Sequence, residues 1–482
     1  MSRQVSKQSD RDRSADAVEA RHLLWERAFS RTAGAALITG NRVRLLLDAE
    51  QNYPEWQQAI ASAERTVHFE TYMLRNDPAG RAMADLLIAK VAEGIQVRLL
   101  YDWFGALGAT GWRFWHRLRS GGVEARCCNP PRLHNALAWS SRDHRKLLTV
   151  DGKVGFVSGL CVAQEWLGFP ERGIEPWRDT GVELRGPAVA DLERAFADNW
   201  SLNGEPLNEE EIPQRKDLPP AGNHAVRVIP SSPESTGLLR LDLLWAAIAR
   251  KRLWLADAYF IGTPAYIGAL CSAAQTGVDV RLLVPSASNM RLVAAFSRIQ
   301  YRTLLEAGVR VFEWSGPMMH AKTAVVDGVW SRVGSTNLNV VSWIVNWELD
   351  VCVEDPDFGQ EMEAVYRRDL EHATEMVLNP RRRVQPSGEH RPAGRRAVSG
   401  SAGRAAAAAL QIGTSFGVTL TQRGIITGEA RAFAWFGILS LMIAAVVFKW
   451  PKVLSYTAAV VAGYVGVSLL ARAYRLWRQK NR

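Results

Sequence analysis

Four segments of the chain occur twice in the same order, and this duplication constrains the fold more than any other feature. The matched pairs are Arg65–Tyr72 with Arg252–Tyr259, Gly94–Leu100 with Gly277–Leu283, Gly122–Arg126 with Gly308–Phe312, and His144–Gly152 with His320–Gly328. Copies of a structural repeat fold into similar units. Four ordered matches in a chain of 482 residues therefore predict two similar halves.

Within each copy, apolar strand-like runs alternate with helix-like stretches such as Ala79–Glu93 and Pro264–Thr276. This alternation indicates α/β units on a sheet that is covered by helices. We therefore predict an α/β fold of two similar halves packed with pseudo-twofold symmetry. The predicted boundaries are a disordered lead-in at 1–20, a first half at 21–205, a linker at 206–224, a second half at 225–378, a basic flexible linker at 379–424 and a C-terminal hairpin at 425–482.

The last matched pair, HRKLLTVDG and HAKTAVVDG, has the pattern of a β-hairpin. A short apolar run leads to Asp151-Gly152 in the first copy, and Asp-Gly is a strong two-residue turn signal. Side chains alternate along a strand, so His144 and Lys146 project from one face, as do His320 and Lys322. If the halves pack about a twofold axis, two imidazoles and two ammonium groups converge.

Two imidazoles and two ammonium groups suit exchange at a phosphodiester. A neutral imidazole can attack phosphorus, and an imidazolium can donate a proton near neutral pH. Lysines neutralise charge that builds on the non-bridging oxygens, a task for which many phosphoryl-transfer enzymes use metal ions. The sequence shows no metal-ligand cluster, and its five cysteines lack metal-type spacing. We therefore expect no metal and no other cofactor.

The motif H-x-K-x4-D, present twice in one chain, resembles the phospholipase D superfamily. The second copy is the fuller match, because Gly334-Ser335-Thr336-Asn337 and Glu348 follow His320 in that family's order. The segments FETYMLRND, RDHRKLLTVDG and WRDTGVELRGPAV resemble bacterial cardiolipin synthases. The resemblance implies two phospholipase D-like α/β halves that together form one active site.

The resemblance also implies a phosphohistidine mechanism. One histidine takes the phosphatidyl group, and the other protonates the leaving alcohol and deprotonates the incoming one. By similarity His144 is the nucleophile and His320 the acid/base, with the reverse assignment left open. The other implied roles are phosphate binding for Lys146, Lys322, Asn337, Ser335 and Ser158, and orientation of the imidazoles for Asp179 and Glu348, each reaching the opposite half.

Two further features of the motifs need a separate interpretation. Asp151 and Asp327 complete the family's catalytic pattern, but turn chemistry favours a role in bracing the hairpin over contact with substrate. The first copy has Ser158-Gly159-Leu160-Cys161 where the family commonly shows Gly-Gly-x-Asn. A thiol, which is a weak hydrogen-bonding group, therefore replaces an amide.

Two uncharged apolar runs near the end of the chain, Ala432–Phe448 and Val453–Ala471, each approach the length of a spanning helix. Pro451 lies in the short link between them, which predicts a transmembrane helical hairpin. The tail after it is basic and contains no acid. The positive-inside bias therefore predicts that the catalytic part lies on the cytoplasmic side, and the resemblance to bacterial cardiolipin synthases implies the bacterial cytoplasmic (inner) membrane. A pair of buried helices, or a hairpin lying in the membrane interface, is the alternative.

These features together predict a phosphatidyltransferase that makes cardiolipin from phosphatidylglycerol, with phosphatidylglycerol or phosphatidylethanolamine as the second lipid. The alternative is a phospholipase D-type hydrolase, or a phosphodiesterase or nuclease. The chain is basic, with 59 Lys and Arg against 49 Asp and Glu, which suits lipid head groups and nucleic acid alike. Much of that excess lies beside the predicted hairpin, and no nucleic-acid-binding module is recognised. We therefore expect anionic phospholipids and a membrane as partners, no nucleic acid, and leave the oligomeric state open.

Tryptophans are frequent before the first motif, at Trp103, Trp112, Trp115 and Trp139. Core packing is the usual role of such a cluster. A lip that contacts acyl chains is the alternative.

Overall fold

A computed structural model of the protein describes residues 26–130, 141–233 and 235–387. These residues belong to one compact unit. The predicted lead-in at 1–20, most of the basic linker at 379–424 and the whole hairpin at 425–482 lie outside them. Within the described ranges, no helix combines the length and the apolar character needed to cross a bilayer.

One sheet of sixteen strands runs through the described residues. The seven strands that precede the predicted linker are β1 (Ile38–Leu47), β2 (Thr66–Thr71), β3 (Gln96–Asp102), β4 (Glu124–Cys128), β5 (Lys146–Val150), β6 (Val154–Ser158) and β7 (Thr180–Arg185). The strands that follow the linker are β8 (His224–Ser231), β9 (Arg252–Ala256), β10 (Asp279–Pro285), β11 (Arg310–Trp314), β12 (Thr323–Val326), β13 (Trp330–Gly334), β14 (Glu348–Glu354), β15 (Ala373–Leu378) and β16 (Val384–Pro386).

Helices occupy many of the connections between strands. In the first half they are α1 (Asp48–Ala61), α2 (Pro78–Ala92), α3 (Trp103–Ala106), α4 (Trp112–Ser120), α5 (Gln164–Leu167) and α6 (Val189–Leu202). In the second half they are α7 (Gly237–Ile248), α8 (Pro264–Gln275), α9 (Arg291–Glu306), α10 (Val340–Ile344) and α11 (Pro356–Glu371). Three of them, α2, α8 and α11, begin at a capping side chain that is followed by proline, and the caps are Asp77, Thr263 and Asp355. Each cap accepts a backbone N–H that the first turn of the helix leaves unpaired.

The order of strands in the sheet is the same in both halves. Outward from the centre, the first half runs β1, β7, β6, β5, β2, β3, β4, and the second runs β8, β14, β13, β12, β9, β10, β11. The central strands β1 and β8 pair antiparallel, as two equivalent strands beside a twofold axis must. The mixed α/β architecture with two similar halves, predicted from the repeats, is therefore present.

Each repeated motif forms a hairpin, as the Asp-Gly signal predicts. β5 pairs with β6 and β12 with β13, both antiparallel. Asp151 and Gly152 at the first turn both have positive φ, and so do Asp327 and Gly328 at the second. Positive φ at two successive residues is what the tight turns of β-hairpins require.

The apolar core forms three clusters, one drawn mainly from each half and one that both halves share. The shared cluster contains Val157 and Val182 of the first half together with Val333 and Val351 of the second. Full burial of one such side chain contributes about 1.5–3 kcal/mol. The shared cluster therefore stabilises the association of the halves and holds the ends of their strands in fixed relation.

Both predicted linkers contain structure at their described positions. In the 206–224 segment Leu207 and Ile212 are buried in the shared cluster, so apolar anchors hold this polar connection against the body. In the basic segment predicted to begin at 379, β16 pairs antiparallel with β15, with Val384 opposite Leu378, and forms an edge of the sheet. Proline and charge are typical of edge strands, so such a strand resembles a linker in sequence.

Candidate active site between the halves

Backbone pairing between the halves positions the two motif histidines. His144 lies just before β5, and its N–H donates to the carbonyl oxygen of Trp347 at 2.9 Å. His320 lies just before β12, and its N–H donates to the carbonyl oxygen of Arg178 at 2.7 Å. Isolated parallel bridges join the same two pairs of segments. The backbone of each histidine is therefore hydrogen-bonded to the residue that immediately precedes an acid of the other half, Glu348 for His144 and Asp179 for His320.

The two acidic side chains contact the imidazoles across this pairing. Oε2 of Glu348 lies 2.9 Å from Nδ1 of His144, and Oδ2 of Asp179 lies 2.7 Å from Nδ1 of His320. A carboxylate at Nδ1 favours the tautomer that carries its proton there and leaves the Nε2 lone pair available. Both imidazoles can therefore present Nε2 to a ligand.

Both histidines line one cavity of about 220 Å³. Its wall comes from both halves and includes Tyr72 from the first and Tyr259 and Asn337 from the second. Pockets that enclose a drug-sized ligand are commonly about 300–1,000 Å³. The cavity suits a reacting phosphate group and its immediate neighbours, and the acyl chains of a lipid would extend beyond it.

The two motif lysines lie behind the histidines. The Lys146 and Lys322 ammonium groups each donate to the carbonyl oxygen of the histidine two residues earlier. Lys322 Nζ also lies 3.2 Å from Nε2 of His320. Both lysines are almost fully buried. They carry positive charge to the edge of the cavity rather than forming its wall.

Burial dominates the electrostatics of the site. Burial, together with nearby Lys146 and Lys322, lowers the pKa of His144 well below its ordinary value. Burial and the Lys322 ammonium lower the pKa of His320 to about 3. Both imidazoles are therefore neutral at pH 7 in the empty site. Burial also lowers the pKa of Lys322 to about 8, so most of its ammonium remains charged at neutral pH.

The two carboxyl groups have different environments. Burial raises the pKa of Glu348 to about 7. Burial acts in the same direction on Asp179, but the Lys322 charge and hydrogen bonds from His320 and Trp166 outweigh it and hold its pKa below the usual value. The Asp179 carboxyl is therefore the more firmly ionised of the two.

The three uncharged residues among those assigned to phosphate binding have different positions. Asn337 lines the cavity. Ser335 is fully buried and donates to Oε2 of Glu348 at 2.6 Å, which makes it a support for that acid. The Ser158 hydroxyl accepts from the N–H of Leu160 in its own loop at 3.2 Å and does not reach the cavity wall. The reason is register, since Ser158 ends β6 as Gly334 ends β13.

The motif aspartates lie at the far ends of their strands. Asp151 accepts the N–H groups of residues 64–66, and Asp327 accepts those of residues 250–252. At about 3.3 Å per residue, Asp151 is roughly 16 Å along the strand from Lys146. Neither aspartate is among the groups that meet at the cavity, and their contacts are those of turn-bracing residues.

Aromatic residues beside the histidines had no role in our sequence interpretation. Tyr72 lies edge-on to His144 at 5.1 Å between ring centroids, and Tyr259 lies edge-on to His320 at 5.8 Å. Trp166 donates its indole N–H to Asp179 at 2.9 Å. The two tyrosines occupy matching positions in the repeats, a signal that could have identified them, whereas Trp166 has no aromatic counterpart.

Metal ligation requires a group of suitable side chains. Throughout residues 26–130, 141–233 and 235–387, no three or more His, Cys, Asp or Glu side chains are arranged to hold a metal ion. That catalysis proceeds without a metal stays a prediction.

Comparison with known proteins places this site in a family. A family profile described as "Cardiolipin synthase, PLD-like domain" matches residues 56–163 and 246–370, one match in each half. The chain is 34% identical over 361 residues to cardiolipin synthase A of Pseudomonas aeruginosa (strain LESB58), covering 74% of this chain and 73% of the relative. It is 33% identical over 346 residues to cardiolipin synthase of Alkalihalophilus pseudofirmus, covering 70% and 67%.

Among solved structures, the fold is similar to that of phosphatidylserine synthase from Haemophilus influenzae Rd KW20. The TM-score is 0.56 at 15% identity, and the match covers 72% of this chain and 91% of that chain. At this identity the likeness concerns the fold alone.

Proposed function

The chain belongs to the cardiolipin synthase family with phospholipase D-like domains, and from this premise we propose that it is a phosphatidyltransferase that makes cardiolipin from phosphatidylglycerol. The observation that carries the proposal is that His144 and His320 line one cavity, each with its Nδ1 bound by a carboxyl group of the other half. Two histidines so arranged can divide displacement at phosphorus into two steps.

In the first step, Nε2 of His144 attacks the phosphorus of a donor phosphatidylglycerol. The N–P bond forms as the bond from phosphorus to the glycerol oxygen breaks, and His320 gives its proton to that oxygen. In the second step, a hydroxyl of another phosphatidylglycerol loses its proton to His320 and attacks phosphorus, and the N–P bond breaks. The products are cardiolipin and glycerol.

The surroundings of the two Nε2 atoms support His144 as the nucleophile. Lys322 Nζ lies 3.2 Å from Nε2 and 2.8 Å from Nδ1 of His320. In the described part of the chain, the ring of His144 hydrogen-bonds Glu348 and the backbone of Ser335 and neither lysine ammonium. An ammonium group that hydrogen-bonds a ring nitrogen occupies the lone pair of that nitrogen, which is then less available to attack phosphorus. The imidazole of His144 is thus the more available of the two.

The negative charge of the substrate favours the protonated imidazole that the acid step needs. Both imidazoles are neutral in the empty site because burial and the lysines lower the pKa of each. A phosphodiester anion in the cavity favours the protonated form of a nearby imidazole. Substrate binding would therefore load His320 with a proton, and Asp179 would stabilise the imidazolium.

Positive charge and amide groups would hold the transferring phosphate. Lys146 and Lys322 are close enough to the histidines to move their ammonium groups onto non-bridging oxygens, where charge develops in the transition state. Asn337 would bind from the wall. Ser335 would act through Glu348.

We also propose that the catalytic halves, 21–205 and 225–378, are held at the cytoplasmic face of a bacterial inner membrane by the hairpin at 425–482. Exposed apolar side chains near the cavity support contact with lipid. Trp112 is 71% exposed, and Leu107, which lines the cavity, is 51% exposed. By contrast Trp115 is buried against Tyr101. Trp112 and Trp115 therefore divide between surface and core, and Trp139 lies outside the described residues.

The test is an assay of full-length protein in liposomes of phosphatidylglycerol labelled in the head group and in an acyl chain. The expected products are cardiolipin and free glycerol, formed equally well with a metal chelator present. His144→Ala should abolish both products while its melting temperature stays within a few degrees of wild type. Phosphatidic acid as the main product would indicate hydrolysis, and turnover by His144→Ala would contradict the mechanism.

A further inference from the structure

One buried carboxylate connects the wall of the cavity to the backbone beside the proposed nucleophile. Asp102 ends β3, and its side chain is fully buried. Its Oδ1 accepts the N–H groups of Phe104 and Gly105 in α3, at 2.8 and 3.1 Å. Its Oδ2 accepts the N–H of Asp143, the residue before His144, at 2.8 Å. The two oxygens of one side chain therefore join α3 to the segment that carries the nucleophile.

Both of the segments that Asp102 joins contact the reacting groups. Phe104 and Gly105 line the cavity, as does His144. A Cβ atom at Gly105 would lie 1.9 Å from the carbonyl oxygen of Tyr72, so α3 packs directly against the backbone of this tyrosine. The ring of Tyr72 in turn lies edge-on to the imidazole of His144. The position of α3 therefore affects the position of the imidazole.

Arg142 makes a second contact between the same two segments. Its guanidinium lies over the ring of Phe104, 4.2 Å from the ring centroid, within the range of a cation–π interaction. Its carbonyl oxygen accepts the N–H of Trp347 from the other half at 2.8 Å. The segment that leads into His144 is therefore held by the cavity wall on one side and by the opposite half on the other.

The charge of Asp102 matters for this connection. Burial raises its pKa to about 6, while the Arg142 guanidinium and the N–H groups of Asp143 and Gly105 favour the ionised form, so it is largely ionised at neutral pH. A carboxylate accepts hydrogen bonds at both oxygens, whereas an amide of the same size accepts at only one. A carboxylate is therefore the group that can hold both segments at once.

The second half has no carboxylate at the matching position. Pro285 matches Asp102, and Met319 matches Asp143. By contrast, the backbone bridges that pair each histidine segment with the opposite half occur on both sides of the cavity. Two similar halves therefore differ at this point, and the additional bond is on the side of His144, which attacks phosphorus in the proposed mechanism.

We infer that Asp102 is a positioning residue for the first chemical step, because its carboxylate holds the backbone before His144 at a fixed distance from the cavity wall. The inference rests on the proposed function, in which His144 is the nucleophile, and adds a residue that touches neither the substrate nor the imidazole. A misplacement of about 1 Å can cost about 100-fold in rate. Loss of this connection should therefore slow attack on phosphorus without weakening the binding of the donor.

Two substitutions remove the connection and keep a cap on α3. Asn and Ser, like Asp, are favoured helix caps, so Asp102→Asn and Asp102→Ser retain an acceptor for the N–H groups of Phe104 and Gly105. Neither retains a second acceptor for the N–H of Asp143, because the asparagine NH₂ only donates and serine has one oxygen. The matched control is Asp355→Asn, since Asp355 caps α11 and is not among the described residues that line the cavity.

The first step can be measured alone in the His320→Ala background. With p-nitrophenol as leaving group, the N–P bond to His144 forms as the phosphorus–phenol bond breaks, and no acid is needed. Full-length protein in detergent should then release about one equivalent of nitrophenolate in a burst. In this background Asp102→Asn and Asp102→Ser should each lower the rate constant of the burst at least about 20-fold.

The dependence on donor concentration separates attack from binding. The concentration that gives half the maximal burst rate should change less than about threefold in both Asp102 variants, because the lost interaction matters only in the transition state. Asp355→Asn in the same background should keep the parental rate constant and the parental concentration dependence.

The amplitude of the burst separates positioning from loss of the fold. An unfolded fraction lowers the amplitude and leaves the rate constant of the remaining enzyme unchanged, whereas a displaced imidazole lowers the rate constant. A parental rate constant in either Asp102 variant, at full or reduced amplitude, would overturn the inference and leave the transferase proposal intact. An equal loss of rate in Asp355→Asn would also overturn it. Absence of a burst from His320→Ala itself, while wild type turns over, would refute the proposed mechanism and the inference with it.

Discussion

Nδ1 of His144 lies 2.9 Å from Oε2 of Glu348, although 204 residues separate them along the chain. The reciprocal pair, His320 and Asp179, is 2.7 Å apart across 141 residues. Neither half contains a motif histidine together with the acid that orients it. The site therefore exists only where the two halves meet.

Replacing either acid by its amide should reduce turnover strongly while preserving shape. An amide cannot stabilise an imidazolium or hold the required tautomer, and loss of such a carboxylate costs up to about 10⁴-fold in kcat. We expect Glu348→Gln and Asp179→Asn each to lower kcat at least about 100-fold. Initial rates measure kcat, and circular dichroism checks that each variant keeps its fold.

The control for that experiment is another buried Glu–His pair. Glu193 lies 2.7 Å from Nδ1 of His68, outside the cavity. Glu193→Gln should keep kcat near the wild-type value. If it lost as much activity as Glu348→Gln, general damage to the fold would explain both results.

The pH dependence should reveal the ammonium group of Lys322. Burial lowers its pKa to about 8, so raising the pH through 8 removes a positive charge that stabilises the transition state. Activity should fall above about pH 8. In Lys322→Arg the guanidinium stays charged, so the maximal rate should drop but the alkaline decline should move upward by at least about one pH unit. The same decline in both proteins would assign it to another group.

The turn aspartates should affect stability more than catalysis. Asp151 accepts three backbone N–H groups at 2.7–2.9 Å. Leaving such donors unpaired costs about 1–3 kcal/mol each when buried. Asp151→Ala should therefore lower the free energy of unfolding by about 2–3 kcal/mol and retain kcat within about threefold at a temperature where it is folded. Urea titration measures the free energy of unfolding, and initial rates measure kcat. Loss of kcat in the folded variant would make the aspartate catalytic.

Membrane contact through the region around the cavity can be tested with exposed apolar residues. Trp112→Ser should weaken binding to phosphatidylglycerol vesicles, because burial of a large aromatic side chain contributes about 2 kcal/mol. Leu202, which is 59% exposed at the end of α6, offers a matched control. Vesicle sedimentation should separate Trp112→Ser from Leu202→Ser by at least about threefold, and equal binding would argue against this surface.

The duplicated segments were sufficient to predict the halves, the hairpins and the family. Periodicity revealed the α/β units, and Asp-Gly identified turns whose residues do have positive φ. These features are local, so they can be recognised in the sequence. Pairing of the halves through β1 and β8 follows from the symmetry but has no sequence signal of its own.

The composition of the cavity depends on long-range packing and could not be predicted in this way. Ser158 and Ser335 were grouped together, yet one lies in its own loop and the other supports Glu348. Ser158 lies 14 residues after His144 and Ser335 lies 15 residues after His320, so the sequence separates them, but which of them supports Glu348 follows only from the packing. The bond between Asp143 and Asp102 likewise depends on packing, since nothing in the sequence pairs these two residues.

The central claim is that His144 and His320 perform successive steps on one phosphorus atom. A phosphatidyl donor with p-nitrophenol as leaving group tests it most directly, because this acidic phenol departs without protonation. His320→Ala should release about one equivalent of nitrophenolate in a rapid burst and accumulate a phosphatidyl group on His144, detectable by mass spectrometry, since only the second step then needs a base. His144→Ala should show no burst. A burst from His144→Ala, or none from His320→Ala while wild type turns over, would contradict the account.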